Sequence, residues 1–273
     1  MNIKGKIFKM IESNEAFLKF LLIVFNKMQY KKNEVNISSI HFRNNELIIT
    51  GGDNNYVNLD ENSYLKNGKI WLKGEKNEVK LKDDTVVCGN EIKQTIHING
   101  DNNKIIIGRN CRIDDTTLFI WGNDNAIIIE DGCSLMKTEL HIEQSNNTIK
   151  IGNGCTFHGR DGYPIHIAAD EGSSIVIDDD CMLANGIQIR STDSHSIVNL
   201  QGERINPAKD VYIGKHCWIG LEAIILKGTK ISSHTVVAAG GVCNKKYEES
   251  NCVIAGNPAK VVKRDIDWNR KFL

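Results

Sequence analysis

Residues 211–237 read VYIGKHCWIGLEAIILKGTKISSHTVV, and an apolar anchor returns in this stretch every six residues: Ile213, Ile219, Ile225, Ile231 and Val237. Toward the N-terminus the same frame recurs at wider spacing. Polar or Gly residues lead into alternating apolar positions, with anchors at Leu59, Leu81, Ile107, Ile129, Ile151, Ile177 and Ile213. The steps between them are 22, 26, 22, 22, 26 and 36 residues. A repeat near 20 residues that resolves into sixes predicts a parallel β-helix, in which each unit buries its apolar face only by stacking on its neighbours.

One coil, Asp101 to Asn123, illustrates the reading. Asp101-Asn102-Asn103 form a corner. Ile105 and Ile107 then point inward, as do Cys111 and Ile113 on a second strand and Leu118 and Ile120 on a third. Period-two alternation sends the residues between them outward. The third strand recurs as Ile96-His97-Ile98, Leu118-Phe119-Ile120, Leu140-His141-Ile142, Ile165-His166-Ile167 and Ile187-Gln188-Ile189. Its middle residues, His97, Phe119, His141, His166 and Gln188, are expected to form one outer column. That column is either a solvated ladder or a groove for an extended substrate, with His166 and Gln188 nearest the candidate site.

The 273 residues suit one elongated solenoid with an N-terminal extension. Lys+Arg and Asp+Glu balance at 34 each, so no global field favours nucleic acid or an acidic membrane. The 8 cysteines do not read as a disulfide framework, because five of them (Cys111, Cys133, Cys155, Cys181 and Cys217) each fall four residues after an anchor. Thr85, Ala223, Thr229 and Thr235 fill the same slot elsewhere, which predicts a column of small inward side chains with Cys acting as a small hydrophobe. No Cys-x-x-Cys pair argues for zinc and no metal is expected. Reduced thiols point to the cytoplasm. The apolar stretch Phe17 to Phe25 is too short to span a bilayer, and no small-residue cleavage site follows it. It reads as a helix packing on another subunit or on the solenoid end, or as an interfacial anchor flanked by Lys4, Lys6, Lys9, Lys27, Lys31 and Lys32 at an inner membrane face. The expected division is a helical extension over 1–35, the β-helix over 36–264 and a tail over 265–273.

The ladder breaks once on a large scale. Ile177, Leu183 and Ile189 keep the six-residue step, but the next anchor is Ile213. The insertion, about 191–210, carries Asp193 and His195 with a hydroxyl on each side of the imidazole, Ser194 and Ser196. Long loops on a rigid scaffold are where function concentrates. An imidazole titrates in the range that suits removal of a proton from a hydroxyl at neutral pH, and a nearby carboxylate can fix its tautomer.

The sixes after Val211, the Asp-Ser-His loop and the close at Val253-Ile-Ala-Gly-Asn-Pro-Ala-Lys-Val-Val262 together resemble the hexapeptide-repeat acyltransferases over about residues 100–265. The loop-then-Trp-Ile-Gly order is most similar to sugar O-acetyltransferases of the capsule and sialic acid type. The resemblance implies an all-β, left-handed parallel β-helix and a homotrimer with sites between subunits. It also implies acetyl transfer from acetyl-CoA to a polysaccharide hydroxyl without an acyl-enzyme. It makes His195 the general base, assisted by Asp193, and places Trp218 by the thioester. Ala238, Ala239, Gly240 and Gly241 would let the pantetheine arm approach. Lys245, Lys246, Lys260 and Arg264 would meet the CoA phosphates or else form a solvated basic end. The long N-terminal coils depart from the three-sixes pattern, with the extra residues expected at corners after the third strand. Two other readings compete: N-acetylation of an amino sugar on the same fold, and a non-catalytic scaffold. A metal-dependent hydratase of the β-helix type would need a close His pair, and no His-x4-His occurs.

Overall fold

The computed structural model describes residues 32–37, 46–89 and 95–271; the apolar stretch at 17–25 and its flanking lysines other than Lys32 lie outside them. The described residues form sheets of ten, ten and nine strands, parallel throughout except for the terminal strand Ala259–Lys263, and no helix. None is therefore long and apolar enough to cross a membrane as a helix. The chain visits the three sheets in turn. Tyr56–Leu59 lies on a first face, Tyr64–Lys66 on a second and Lys69–Lys73 on a third, before Glu78–Leu81 returns to the first. The result is a three-sided coil.

The anchors define the register. Leu59 pairs with Leu81, Leu81 with Ile107, Ile107 with Ile129, Ile129 with Ile151, Ile151 with Ile177 and Ile177 with Ile213, all on the first face. In the last coils one six-residue step equals one face: Ile213 sits on the first, Ile219 on the second and Ile225 on the third. These side chains are fully buried and stack like on like. Burying such a side chain stabilises by roughly 1.5–3 kcal/mol, so each added anchor contributes to the driving force for stacking.

Each corner has its own ladder. Between the first and second faces, Thr85, Cys111, Cys133, Cys155, Cys181, Cys217, Thr235 and Cys252 line up and are buried, with every cysteine free. Their thiols cap carbonyls of the next coil: Cys133 Sγ to Gly152 O at 3.0 Å, Cys181 Sγ to Gly214 O at 3.2 Å. The hydrogen bond with Cys111 lowers the Cys133 thiol, but the one with Cys155 and desolvation outweigh it and push the thiol up to about 12, which keeps it neutral. Ala223 and Thr229 are buried too, but at the other two corners, because the six-residue step rotates one face each time.

Between the third and first faces runs a ladder of buried asparagines: Asn55, Asn77, Asn103, Asn125 and Asn147. Each side-chain oxygen accepts the backbone N–H of the residue one coil on, as in Asn77 N to Asn55 Oδ1 at 2.9 Å and Asn147 N to Asn125 Oδ1 at 2.9 Å. Each amide donates to a turn carbonyl, as in Asn125 Nδ2 to Gln144 O at 2.8 Å. The ladder passes to Ser173, whose hydroxyl meets Ser191 Oγ at 2.7 Å, the first residue of the long insertion.

Two expectations need correcting. The longest regular coils place their additional residues between the second and third strands, as at Gly159–Pro164, where Arg160 and Tyr163 pair back on each other. That insertion also shifts the outer column. Trp71, His97, Phe119 and His141 are in register and stack with ring centroids 4.4–4.7 Å apart. His166, however, pairs with Glu139 while His141 faces Ala168. His166 and Gln188 remain in register with each other but stand two residues out of line with the stack. The stacked rings cover one another's faces, so the column offers edges to a ligand.

The asparagine ladder makes Asn125→Ala a sharp probe. It strands the Asn147 N–H and the Gln144 carbonyl inside a sealed corner, and the expected loss is about 2–4 kcal/mol. A chemical denaturation midpoint close to wild type would show that the ladder adds no stability.

Candidate active site

The insertion leaves the third face after Gln188–Arg190 and rejoins the first at Val211–Ile213, so it projects from the asparagine corner. Its organiser is Asn206, 7% exposed. Asn206 Oδ1 accepts the Ile197 N–H at 2.7 Å, and its amide donates to Asp193 Oδ2 at 2.7 Å and to the His195 carbonyl at 2.8 Å. Asp193 also takes Lys227 Nζ at 2.5 Å. The Lys227 ammonium and the Asn206 amide hold the Asp193 carboxyl below its ordinary range. Glu171, one coil earlier, grips the loop through Arg204 at 2.7 Å and Thr192 at 3.1 Å.

These bonds hold the backbone around His195 while leaving its ring exposed. The Asp193 carboxylate, expected beside that ring, is instead engaged by Lys227 and Asn206; among the described residues no hydrogen bond joins it to the imidazole. Asp193 thus orders the loop. Asn206 and Lys227 were missed by sequence reasoning. Asn206 is twelve residues beyond Ser194 in the chain and looks like any polar loop residue until the loop closes on itself. Ile197, Val198, Leu200 and Ile205 stand exposed on the same loop.

Trp218 lies on the second face, in register with Met182 and Val236, and is partly exposed. In a three-sided coil the corner between the third and first faces is opposite the second face. His195 and Trp218 of one chain are therefore on opposite sides of the solenoid. Ala238 to Gly241 form the turn from the second face to the third, beside Leu221 and Ile224, and Gly240 adopts φ +67° with open space around it.

The four expected phosphate ligands divide. Lys246 lies on the first face and, with Lys209, Lys227 and Lys230, lines an open cleft of about 470 Å³ at the base of the loop. Lys245 lies over the Tyr247 ring at 5.6 Å. Lys260 is on the terminal strand Ala259–Lys263 at the edge of the second face, and Arg264 is paired with Glu249 at 2.5 Å. The cleft, by contrast, gathers lysines that are far apart in sequence, and among the described residues Lys209 and Lys246 have no ion-pair partner.

No protein-family model matches the chain. The crystal structure of the polysialic acid O-acetyltransferase OatWY superposes with a TM-score of 0.65 at 33% identity, over 84% of this chain and 92% of that one. The chain belongs to the hexapeptide-repeat acetyltransferases. Its solenoid is accordingly a left-handed β-helix. Curated relatives are the polysialic acid O-acetyltransferases of Neisseria meningitidis, 40% identical over 107 residues, and of Escherichia coli, 36% identical over 98 residues. The matched segments cover 39% and 36% of this chain, and 50% and 32% of those proteins.

Asn206→Ala tests the loop within this acetyltransferase fold. Four side-chain hydrogen bonds, with Ile197, Arg204, Asp193 and His195, each of about 1 kcal/mol, are lost from a surface loop. The expected result is faster hydrogen exchange over 193–206 with the melting temperature of the solenoid little changed. Exchange unaltered over the loop would move the organising role away from Asn206.

Proposed function

We propose that this protein transfers acetyl from acetyl-CoA to a hydroxyl of an anionic surface polysaccharide, of capsular or sialic acid type, as a homotrimer in the cytoplasm. The observation that carries the reading is an exposed imidazole on the one long insertion of a coil shared with a polysialic acid O-acetyltransferase. His195 accepts the proton of the sugar hydroxyl as that oxygen attacks the thioester carbonyl carbon. The tetrahedral oxyanion collapses, the carbon–sulfur bond breaks, and the imidazolium returns its proton to the departing thiolate. Backbone N–H groups and the Trp218 indole N–H are the donors for the oxyanion. Asp193 acts through the loop, holding the His195 backbone by way of Asn206.

The pantetheine arm lies along Ala238, Ala239, Gly240 and Gly241. Lys245 and Lys246 meet one end of CoA, and Lys260 and Arg264 remain candidates for the phosphates from a neighbouring chain's side. With Lys246 given to CoA and Lys227 to Asp193, Lys209 and Lys230 of the cleft suit a carboxylate-bearing acceptor, which supports O-acetylation of an acidic polymer over N-acetylation of a neutral amino sugar. His166 and Gln188 are retained as acceptor contacts near the third-face end. Free thiols support a reducing compartment.

The opposed positions of His195 and Trp218 support a site shared between protomers. One chain contributes the imidazole, its neighbour the indole, and the exposed apolar loop side chains supply contact between them. A closed trimer then carries three equivalent sites.

Thiol release from acetyl-CoA with a panel of sialylated, capsular and simple sugar acceptors tests the activity. His195→Ala should lower kcat by ~10²–10⁴ with the assembly intact, as expected for removing a general base. A near-normal rate would remove His195 from the chemistry. Trp218→Ala should raise KM for acetyl-CoA and lower kcat. Co-refolding His195→Ala with Trp218→Ala should restore roughly one quarter of wild-type activity, the share of intact sites that random mixing in a closed trimer produces. A mixture no more active than the average of the two variants would place both residues in one chain's site.

A further inference from the structure

The corner between the first and second faces repeats a left-handed backbone position in each coil from Asp84 onward. Asp180, His216, His234 and Asn251 hold it in the last coils, with φ between +53° and +58°. Asn, Asp and His tolerate this region better than most side chains. Two consecutive coils therefore project imidazoles from the same corner, His216 and His234, with ring centroids 5.0 Å apart.

The tail beyond Lys263 turns back over this corner. Asn251 Nδ2 donates to the Ile266 carbonyl at 3.1 Å, Trp268 stacks on His216 at 4.4 Å, and the Trp268 indole N–H donates to the His216 carbonyl at 2.9 Å. Arg270 reaches Asp180 Oδ1 at 3.0 Å. This strap delivers Asp267, 60% exposed, onto the two imidazoles: Oδ1 stands 3.4 Å from His216 Nε2 and 3.5 Å from His234 Nδ1. All three donor atoms lie within 4.8 Å of one another.

Two ligand atoms on a tetrahedral zinc ion, at bonds of about 2.0–2.1 Å, are roughly 3.4 Å apart. Two edges of the His216–His234–Asp267 triangle already have that length. His234 Nδ1 is buried and has no hydrogen-bond partner among the described residues. Its polar neighbour is the Asp267 carboxylate at 3.5 Å, too long for a strong hydrogen bond but close to the spacing of two ligand atoms on one ion. Behind His216, the Nδ1–H donates to Asp180 Oδ2 at 2.5 Å. A carboxylate on the far nitrogen is the usual arrangement behind a metal-bound imidazole, because it fixes the tautomer and the ring plane.

We propose that His216 Nε2, His234 Nδ1 and Asp267 Oδ1 form a binding site for a divalent transition-metal ion of the zinc class. Two imidazoles and one carboxylate are a donor set that suits Zn²⁺ and leaves one coordination position for water or a backbone carbonyl. In the metal-free chain His216 Nε2 donates to the Trp268 carbonyl at 3.0 Å. Binding exchanges that bond for the metal and releases the Nε2 proton. The ion ties the strap to two coils and holds the Trp268 ring 6.1 Å from Trp218. Its role is structural, and the inference stands apart from the acetyl-transfer reading.

The test uses the full-length chain without an affinity tag, stripped with chelator and kept reduced. Zn²⁺ is titrated against a chromophoric competitor, and the melting temperature is recorded with and without Zn²⁺. The expected result is one tight Zn²⁺ per chain and a higher melting temperature. Affinity should fall at least ~100-fold in both His234→Ala and Asp267→Asn, and neither variant should be stabilised by Zn²⁺. Asp267→Asn, on the exposed strap, serves if His234→Ala does not fold. Absence of Zn²⁺ binding to the wild-type chain overturns the proposal. Binding that survives undiminished in the variants overturns it as well, since the ion would then be held elsewhere.

Discussion

Every feature of this molecule depends on one constraint: each coil must present its strands in register to the coil before and the coil after. The parallel pairing that joins Leu59 to Leu81 and runs on to Ile213 satisfies the backbone and stacks the anchors in the same act. A lone coil would leave two rows of N–H and C=O groups exposed on each face and could bury none of its apolar residues. Stability is therefore a nearest-neighbour property, and local excursions are tolerated wherever they leave the register intact. The insertion at 191–210 is such an excursion, since Ile177 still pairs with Ile213 across it.

The three corners use that regularity differently. The cysteine corner seals with small, neutral side chains that cap carbonyls. The asparagine corner satisfies its turns with amides that bond both up and down the stack. It hands over to Ser173 and Ser191 where the long loop departs, so the loop springs from a fully hydrogen-bonded base. Asn206, Asp193, Lys227 and Glu171 together hold the loop backbone around His195, as the role proposed for its imidazole requires.

The corner under the strap shows how a column position becomes chemistry. A left-handed backbone site that elsewhere takes Gly, Asn or Asp takes His in two successive coils, and the return of the tail adds a carboxylate and an indole. Trp218 sits beside this assembly on the second face, so the strap and the face it borders are physically continuous through the Trp268–Trp218 contact. The opposite corner carries His195. One chain thus displays two chemically equipped edges facing in different directions, the arrangement that the proposed shared site requires.

Much of this was legible in the chain itself, because a solenoid writes its fold as a period. The anchors, the small-residue slot, the boundaries of the long loop and the presence of His195 on it all follow from spacing, since stacking demands the same residue type at the same step. The register shift at His166 was not legible. An insertion between the second and third strands displaces an outer residue without disturbing the inward pattern that spacing reports. The partners of Asp193 were hidden for a related reason: a loop closes through contacts between residues with no periodic relation, and the carboxylate goes to Lys227 and Asn206 because they lie within reach. The lysine cleft and the His216–His234–Asp267 cluster are likewise products of tertiary structure. Sequence determined which residues turn inward at each step; only the folded coil, and the tail bent back across it, decided which column each residue joins and which columns meet.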